Sequence, residues 1–110
     1  MAESTYPPWY THLKEKHSRF MKALEDLGEA VRQEGPLPAK TAQLIQLAAA
    51  AAIRSEGAVH SHTRRALQAG ATPAEIYHAL ILLTSTIGFP TVSAALSWAA
   101  QVIAAAAKES

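Results

Sequence analysis

The side chains best suited to chemistry are concentrated in one short segment, residues 54–65, which reads RSEGAVHSHTRR. The segment holds two of the five histidines of the chain, one glutamate and three arginines. Histidine binds metals and transfers protons near neutral pH, and arginine binds carboxylates. Three kinds of chemistry therefore have to be weighed for this segment: a metal site, general acid–base catalysis and anion binding.

A metal site is not predicted, because the spacing of the histidines is unsuitable. His60 and His62 are two residues apart, so on a helix their side chains point about 200° away from each other. Glu56 and His60 have the four-residue spacing of helical ligands, but Glu56 is expected to precede the helix. His78 lies on the next predicted helix and completes no ligand set.

General acid–base chemistry points to His62. It shares one side of the predicted helix 58–69 with Val59 and Ala66, the side expected to face inward. A partly desolvated histidine that titrates near neutrality can donate or accept a proton at a bound substrate. The alternative is a core histidine whose ring hydrogen-bonds to a backbone carbonyl, and the spacing alone leaves both readings open.

Anion binding points to Arg64 and Arg65. A guanidinium group can hold a carboxylate through two parallel hydrogen bonds. Adjacent residues on a helix diverge by about 100°, so at most one of the two arginines is expected to face a site. The alternative is a solvated helix face, or an ion pair with Glu56, Glu75 or a neighbouring subunit. A serine nucleophile is not expected, because the chain has no G-x-S-x-G turn.

The elements that must position these residues are predicted to be helices. The 110-residue chain contains 24 alanines, and alanine favours helices over strands. Breaks are indicated by Gly35-Pro36, by Gly70 as a helix-ending residue, by Thr72-Pro73 as a helix start and by Gly88-Phe89-Pro90. They divide the chain into five helices, at about residues 9–34, 38–54, 58–69, 73–87 and 91–107. The first has apolar residues at helical spacing, namely Leu13, Phe20, Leu24, Leu27 and Val31.

The stretch 79–107 contains no Asp, Glu, Lys or Arg. A membrane span is not predicted, because Gly88 and Pro90 interrupt the stretch before about 20 apolar residues accumulate. A chain of this size has too little interior to bury two such helices, so part of their surface is expected to lie between subunits. One domain is predicted over residues 1–110, with a head and helix over 1–35 and a core over 36–108.

The charge balance and the absence of cysteine exclude further classes. The formal net charge is +1, so no nucleic-acid partner is expected. The N-terminal residues have no signal-peptide pattern, and a cytoplasmic location is the expectation. With zero cysteines there is no disulfide, thiolate metal site or thiol nucleophile.

The sequence HTRRALQAGATPAEI, from His62 to Ile76, resembles the H-x-R-x-A-L-x-x-G-A-T-x-x-E-I signature of the carboxymuconolactone decarboxylase / alkyl hydroperoxidase D-like superfamily. AQLIQLA at 42–48 is similar to the helix that precedes the signature, and GFP at 88–90 is similar to the break that follows it. The resemblance covers about residues 37–107. It implies an all-α bundle of about five to six helices that assembles as a homo-oligomer, either a trimer or a hexamer.

The peroxidase branch of this family carries C-x-x-C-x-x-x-H and an upstream glutamate that relays protons. The resemblance places its histidine on His62, its cysteines on Ser55 and Ala58, and its glutamate on Gln43. Serine and alanine cannot form the redox-active disulfide, so thiol peroxidase activity is not expected.

The decarboxylase branch needs no cysteine, and a conjugated lactone can accept the electrons left by CO2 loss without a cofactor. For such a reaction on a carboxylated lactone-like molecule, we expect His62 to supply the proton and Arg64 or Arg65 to bind the anion. The supporting residues are expected to be His60 as a further binding group, with Glu56, Gln43 and Ser55. Two alternatives stay open: a redox-inactive, non-catalytic oligomer, and a cysteine-independent antioxidant protein that acts through a partner.

Overall fold

The computed structural model describes residues 7–109, and these residues form seven α-helices and no β-strand. The predicted all-α fold class is confirmed. In chain order the helices are α1 Pro8–Lys16, α2 Ser18–Gln33, α3 Ala39–Ala52, α4 Glu56–Gln68, α5 Pro73–Ile81, α6 Thr84–Ile87 and α7 Phe89–Glu109. They form two compact units, of which the first ends at Leu37 and the second begins at Pro38.

The first unit contains two helices where the sequence pattern predicts one. The chain leaves helical geometry at His17, with φ −135° and ψ 56°. The reversal brings α1 against α2: the hydroxyl of Tyr10 donates to Glu25 Oε2 at 2.6 Å, and Lys14 Nζ lies 3.2 Å from the same oxygen. These contacts lower the pKa of Glu25, with the Tyr10 hydrogen bond as the larger cause and Lys14 next. The prediction of one continuous helix is therefore wrong.

Four of the five apolar residues predicted for the first helix form an exposed stripe on α2, and the fifth, Leu13, lies on α1. We call these four residues the α2 stripe and define it as Phe20, Leu24, Leu27 and Val31, whose exposed fractions run from 49% to 62%. Met21 is the only residue of α2 that is buried. The amphipathic pattern is present, but its apolar side is not part of the protomer's core.

The second unit is built on an antiparallel pair, α3 and α4, joined by only three residues at 53–55. Helices α5 and α7 pack against this pair and against each other. Alanines at the contacts allow the backbones to approach closely, since a methyl group adds little thickness. The buried core includes Leu47, Ala50, Ala51, Val59, Ala66, Ile76, Leu80, Ala95 and Ala99.

Helix α4 ends as the glycine signal predicts. Gly70 has φ 97°, and its N–H donates to the carbonyl of Leu67 at 3.0 Å. The N–H of Ala71 donates to the carbonyl of Ala66 at 2.9 Å. This pair of bonds is a Schellman motif, whose left-handed residue is ordinarily glycine.

Helix α3 ends with the same motif, but an arginine occupies the left-handed position. Arg54 has φ 57°, and its N–H donates to the carbonyl of Ala51 at 3.0 Å. The N–H of Ser55 donates to the carbonyl of Ala50 at 3.0 Å. The predicted end of this helix at residue 54 is therefore two residues too late, because Arg54 belongs to the cap. A non-glycine residue in this conformation stores strain of about 1–2 kcal/mol.

Helix α5 begins with the predicted capping box. Glu75 N–H donates to Thr72 Oγ1 at 3.1 Å, and Thr72 N–H donates to Glu75 Oε1 at 2.9 Å. Lys40 Nζ of α3 lies 3.1 Å from Glu75 Oε2. The pKa of Glu75 is lowered, first by the Thr72 backbone hydrogen bond and then by Lys40. This boundary is confirmed.

The helix predicted over 73–87 is interrupted after Ile81. The Thr84 hydroxyl donates to the Ile81 carbonyl at 2.8 Å and so competes for an acceptor of the α-helical ladder. The chain tightens to an i→i+3 bond, Leu83 N–H to Leu80 carbonyl at 3.1 Å, before the single turn α6. The predicted uninterrupted helix is therefore wrong over 82–83.

Helix α7 follows Gly88, whose φ of 91° is accessible to glycine without strain. Among the described helices, α7 alone has the length and apolar composition to cross a membrane, and 17% of its most apolar window is buried. A core helix of a soluble protein meets the same criteria, and Val92, Ala95 and Ala99 of α7 are buried here. The burial of residues 79–107 between subunits stays a prediction.

Candidate functional site

His62 and Gln43 form the centre of the candidate site, one from each helix of the antiparallel pair. The distance between His62 Nδ1 and Gln43 Oε1 is 2.8 Å. Gln43 is only 5% exposed, whereas His62 is half-buried. Helix α3 places Gln43 one turn before the buried Leu47, and α4 places His62 beside the buried residues Val59 and Ala66. The structure thus brings together two of the residues that the sequence predicted for the site.

The partner atom determines the tautomer of the His62 ring. A carboxamide oxygen only accepts hydrogen bonds, so the hydrogen of the contact must be on Nδ1. In the neutral ring the basic lone pair is therefore on Nε2. When Nε2 takes up a proton, Nδ1 still donates to Gln43, so the same hydrogen bond orients the ring in both charge states.

His60 and Glu56 are on a different side of α4 from His62. His60 Nε2 lies 3.0 Å from Gln101 Oε1 of α7 and 3.8 Å from Glu56 Oε2. Glu56 is the first residue of α4, so the expectation that it precedes the helix is wrong. The two residues form an i,i+4 pair that faces α7, and the structure does not bring them to His62.

Ser55 starts α4. It is the N-cap residue, and its Oγ accepts a hydrogen bond from the N–H of Ala58 at 3.3 Å. A serine hydroxyl in this position stabilises the helix by satisfying one of its unpaired N–H groups. The two residues that match the cysteine positions of the peroxidase branch are thus joined by a capping hydrogen bond.

The two arginines differ in their direction relative to His62. Arg65 follows His62 by three residues, so it lies within about 60° of it around the helix, whereas Arg64 lies about 200° away. Both residues are half-buried. Within residues 7–109, no hydrogen bond or ion pair is made by the Arg65 side chain. By its helix position, Arg65 is therefore the arginine on the side of α4 that carries His62.

Two buried polar groups were not predicted from the sequence. Thr63 is fully buried, and its Oγ1 has no hydrogen-bond partner among the described residues. The same holds for the buried Oε1 of Gln46, which follows Gln43 by three residues on α3. The only sequence signal for Gln46 was this spacing, which places two amides on neighbouring sides of one helix.

Metal-ligating side chains do not assemble in the part of the chain that the structure describes. No group of three or more His, Cys, Asp or Glu residues lies close enough there to hold a metal ion. The arrangement at His62 is that of an oriented imidazole between two helices, which can transfer a proton through Nε2.

Comparison with protein families gives one match over most of the chain. The model of the carboxymuconolactone decarboxylase family matches residues 18–101, a range that includes every candidate site residue. No significant match is found among curated proteins or among solved structures.

Proposed function

The chain belongs to the carboxymuconolactone decarboxylase family, and from this we propose that it is a cofactor-independent enzyme that decarboxylates, or otherwise transfers a proton on, a carboxylated lactone-like small molecule. The observation that carries the proposal is the hydrogen bond from His62 Nδ1 to Gln43 Oε1 at 2.8 Å. It fixes the ring so that Nε2 is the nitrogen that exchanges the proton.

For decarboxylation, the protein has to supply a proton donor and to orient it, because the conjugated lactone itself accepts the electron pair. The bond between carbon and the departing carboxylate breaks, CO2 leaves, and the electron pair is delocalised into the conjugated lactone carbonyl. The His62 imidazolium then delivers the Nε2 proton to carbon, and the neutral ring is left with its hydrogen on Nδ1. The Gln43 side-chain oxygen accepts the hydrogen bond from Nδ1–H throughout, which keeps the ring in one orientation.

We also propose a cytoplasmic homo-oligomer, either a trimer or a hexamer. The support is the amount of apolar surface on the protomer, which includes the α2 stripe and also Ile81, Leu82 and Phe89 at 52–63% exposure. Burying either set of large apolar side chains against a further copy of the chain would remove it from water, which favours assembly.

A second candidate function is a redox-inactive, non-catalytic oligomer of the same family. The observation that favours it is the use of Ser55 as a helix cap next to Ala58, since this leaves no thiol chemistry at the positions of the peroxidase branch. In this case the contact between His62 and Gln43 would only stabilise the α3–α4 pair.

Substituting His62 distinguishes the two candidates. We expect the wild-type protein to release CO2 from at least one member of a panel of carboxylated, conjugated lactones, and His62→Ala to lower the rate by a factor of about 100 or more. His78→Ala, which removes an exposed histidine from α5, is the matched control and should keep the wild-type rate.

The result is interpretable only if both variants fold and assemble like the wild type, which circular dichroism and light scattering measure. Equal rates for His62→Ala and wild type would exclude the proposed role of His62. If wild-type protein neither binds nor converts any lactone of the panel, the non-catalytic candidate is favoured.

A further inference from the structure

The helices of the first unit bury little of their own apolar surface. Met21 is the only buried residue of α1 and α2, and the α2 stripe is exposed in the protomer. Helices of 9 and 16 residues are marginal in water by themselves, because most helical stability in proteins comes from packing an apolar face. A surface from outside the protomer is therefore needed to cover the α2 stripe.

The shape of the α2 stripe fits a second helix. Its residues follow one another at intervals of four, three and four, which are the a and d positions of a helix–helix seam. They span about 60° around α2 and about 16 Å along it. Ala23 and Ala30 form one edge of this seam, and both are exposed. Since a methyl group adds little thickness, a partner helix can approach closely along that edge.

A second copy of α2 fills the seam evenly when it runs in the opposite direction. Phe20 then lies opposite Val31 of the second copy, and Leu24 lies opposite its Leu27. Each layer of the seam holds side chains of similar combined volume. In a parallel pair two Phe20 rings would share one layer and two Val31 side chains another, so the seam would be overfilled at one end and underfilled at the other.

The electrostatics of α2 favour the same direction. Residues 18–25 include two basic residues and one acidic residue, whereas residues 26–33 include two acidic residues and one basic residue. The first turn has no acidic residue, and the N-cap residue His17 makes no side-chain capping hydrogen bond. An antiparallel partner places its more acidic half, and the negative pole of its helix dipole, beside this end. The charges lie on other sides of α2 than the stripe, so they select a direction, while apolar burial drives association.

We propose that the α2 stripe packs against the α2 stripe of a second copy of the chain, antiparallel and about a two-fold axis that passes between Leu24 and Leu27. The inference rests on the proposed homo-oligomer and selects one of its two forms. A two-fold contact joins protomers in pairs, so a closed trimer would leave one α2 stripe uncovered. A hexamer, in which three such pairs are joined through a different surface, covers all six.

The absence of cysteine from the chain allows disulfide formation to test the direction of the seam. Phe20→Cys and Val31→Cys are each expressed alone and are also co-expressed. In the antiparallel seam, the thiol at position 20 of one chain faces the thiol at position 31 of the other. Two thiols at position 20 are about 16 Å apart along the seam, as are two at position 31, which is beyond the reach of a disulfide.

We expect mild oxidation of the co-expressed sample to give at least about 10-fold more covalent dimer than oxidation of either variant alone. Mass spectrometry should identify one chain of each kind in the dimer. The matched control replaces Val31→Cys by Gln33→Cys, whose thiol is exposed on another side of α2, and should give no such increase. Light scattering measures whether each sample keeps the mass of the wild type.

A second measurement leaves the α2 stripe intact. Spin labels are attached to Asp26→Cys or to Gln33→Cys, two exposed positions on one side of α2. In the antiparallel pair, two labels at position 26 are nearly level, whereas two at position 33 are about 22 Å apart along the seam. The distance between labels is therefore expected to be longer at position 33, and equal distances would overturn the inference. These distances decide the direction if the stripe variants lose the wild-type mass.

The outcomes distinguish this inference from the proposed oligomer and the proposed chemistry. Covalent dimers in either variant alone indicate a parallel seam and overturn the inference. It is also overturned by a co-expressed sample of wild-type mass that forms no disulfide, and by a wild-type trimer, although both results keep the homo-oligomer. A monomeric wild type contradicts the oligomer as well. Lactone turnover is measured separately and depends on none of these results.

Discussion

The hydrogen bond from Nδ1–H of His62 is accepted by the neutral side-chain amide of Gln43, and not by a carboxylate. The 2.8 Å contact to Gln43 fixes the ring as a carboxylate would, but it adds no negative charge to stabilise the imidazolium. In the peroxidase branch that the sequence resembles, a glutamate occupies this position. The resemblance therefore implies that glutamine stands here in place of glutamate, which removes a negative charge from the side of the ring.

Gln43→Glu is predicted to restore the missing charge. A carboxylate at the same position favours the protonated ring, so the His62 titration midpoint should move to higher pH than in the wild type. Because histidine is charged below its midpoint, the variant ring stays protonated over a wider range of pH. A pH titration of the His62 ring protons by NMR measures the shift.

Gln43→Leu is the control for that variant, since it removes the acceptor without adding charge. Its His62 titration should not move upward, and the preference for the Nδ1–H tautomer, read from ring nitrogen shifts, should be lost. An unchanged midpoint in Gln43→Glu would mean that the contact between the two side chains is absent in solution.

At the scale of single residues, the sequence led to the centre of the site but not to its edges. The pairing of His62 with Gln43 follows from the resemblance, which places both residues on the family's proton relay. The separation of His60 and Glu56 from His62 could not be predicted, because it depends on where α7 packs and places Gln101. Gln46 was missed since burial of one amide oxygen is a property of packing, not of spacing.

At the scale of the helices, the two Schellman motifs of the α3–α4 pair provide an internal comparison. Gly70 and Arg54 have the same role at the ends of α4 and α3, and both have positive φ. Glycine adopts this conformation freely, whereas in arginine the Cβ atom comes too close to the following carbonyl oxygen, which costs free energy. Among residues 7–109, the Arg54 side chain makes one long hydrogen bond to compensate, from Nη1 to Thr91 Oγ1 at 3.4 Å.

Arg54→Gly is predicted to stabilise the protein by about 0.5–1 kcal/mol, because relief of the left-handed strain exceeds the extra entropy of glycine in the unfolded chain. The free energy of unfolding from urea denaturation measures the effect. Gly70→Ala is the reciprocal control and should destabilise by about 1 kcal/mol. A less stable Arg54→Gly variant would show that the guanidinium contact outweighs the strain.

Helix boundaries were predictable where one residue type determines the backbone, and not elsewhere. Gly70 and the Thr72–Glu75 capping box carry their signal in the local sequence. The break at His17 has no such signal, because it is stabilised by the contacts of Tyr10 and Lys14 with Glu25, which form only after the chain reverses. The break after Ile81 depends on which carbonyl the Thr84 hydroxyl reaches.

At the scale of the whole molecule, the distribution of apolar surface is the main observation. The buried core of the second unit is rich in alanine, while larger apolar side chains lie at the surface. The α2 stripe repeats at intervals of four, three and four residues, which is the spacing of a seam between packed helices. This pattern supports the proposed homo-oligomer, with α2 as one of its contact surfaces.

Leu27→Lys is predicted to weaken the assembly, because it places a charge in the middle of the α2 stripe, where Leu27 is 59% exposed in the protomer. Light scattering after size-exclusion chromatography at micromolar concentration should give the mass of a trimer or hexamer for wild type and a smaller mass for the variant. Gln33→Lys adds the same charge to an exposed position on the other side of α2 and should keep the wild-type mass. A monomeric wild type would contradict the proposed oligomer, and a Leu27→Lys variant of full mass would place its interface elsewhere.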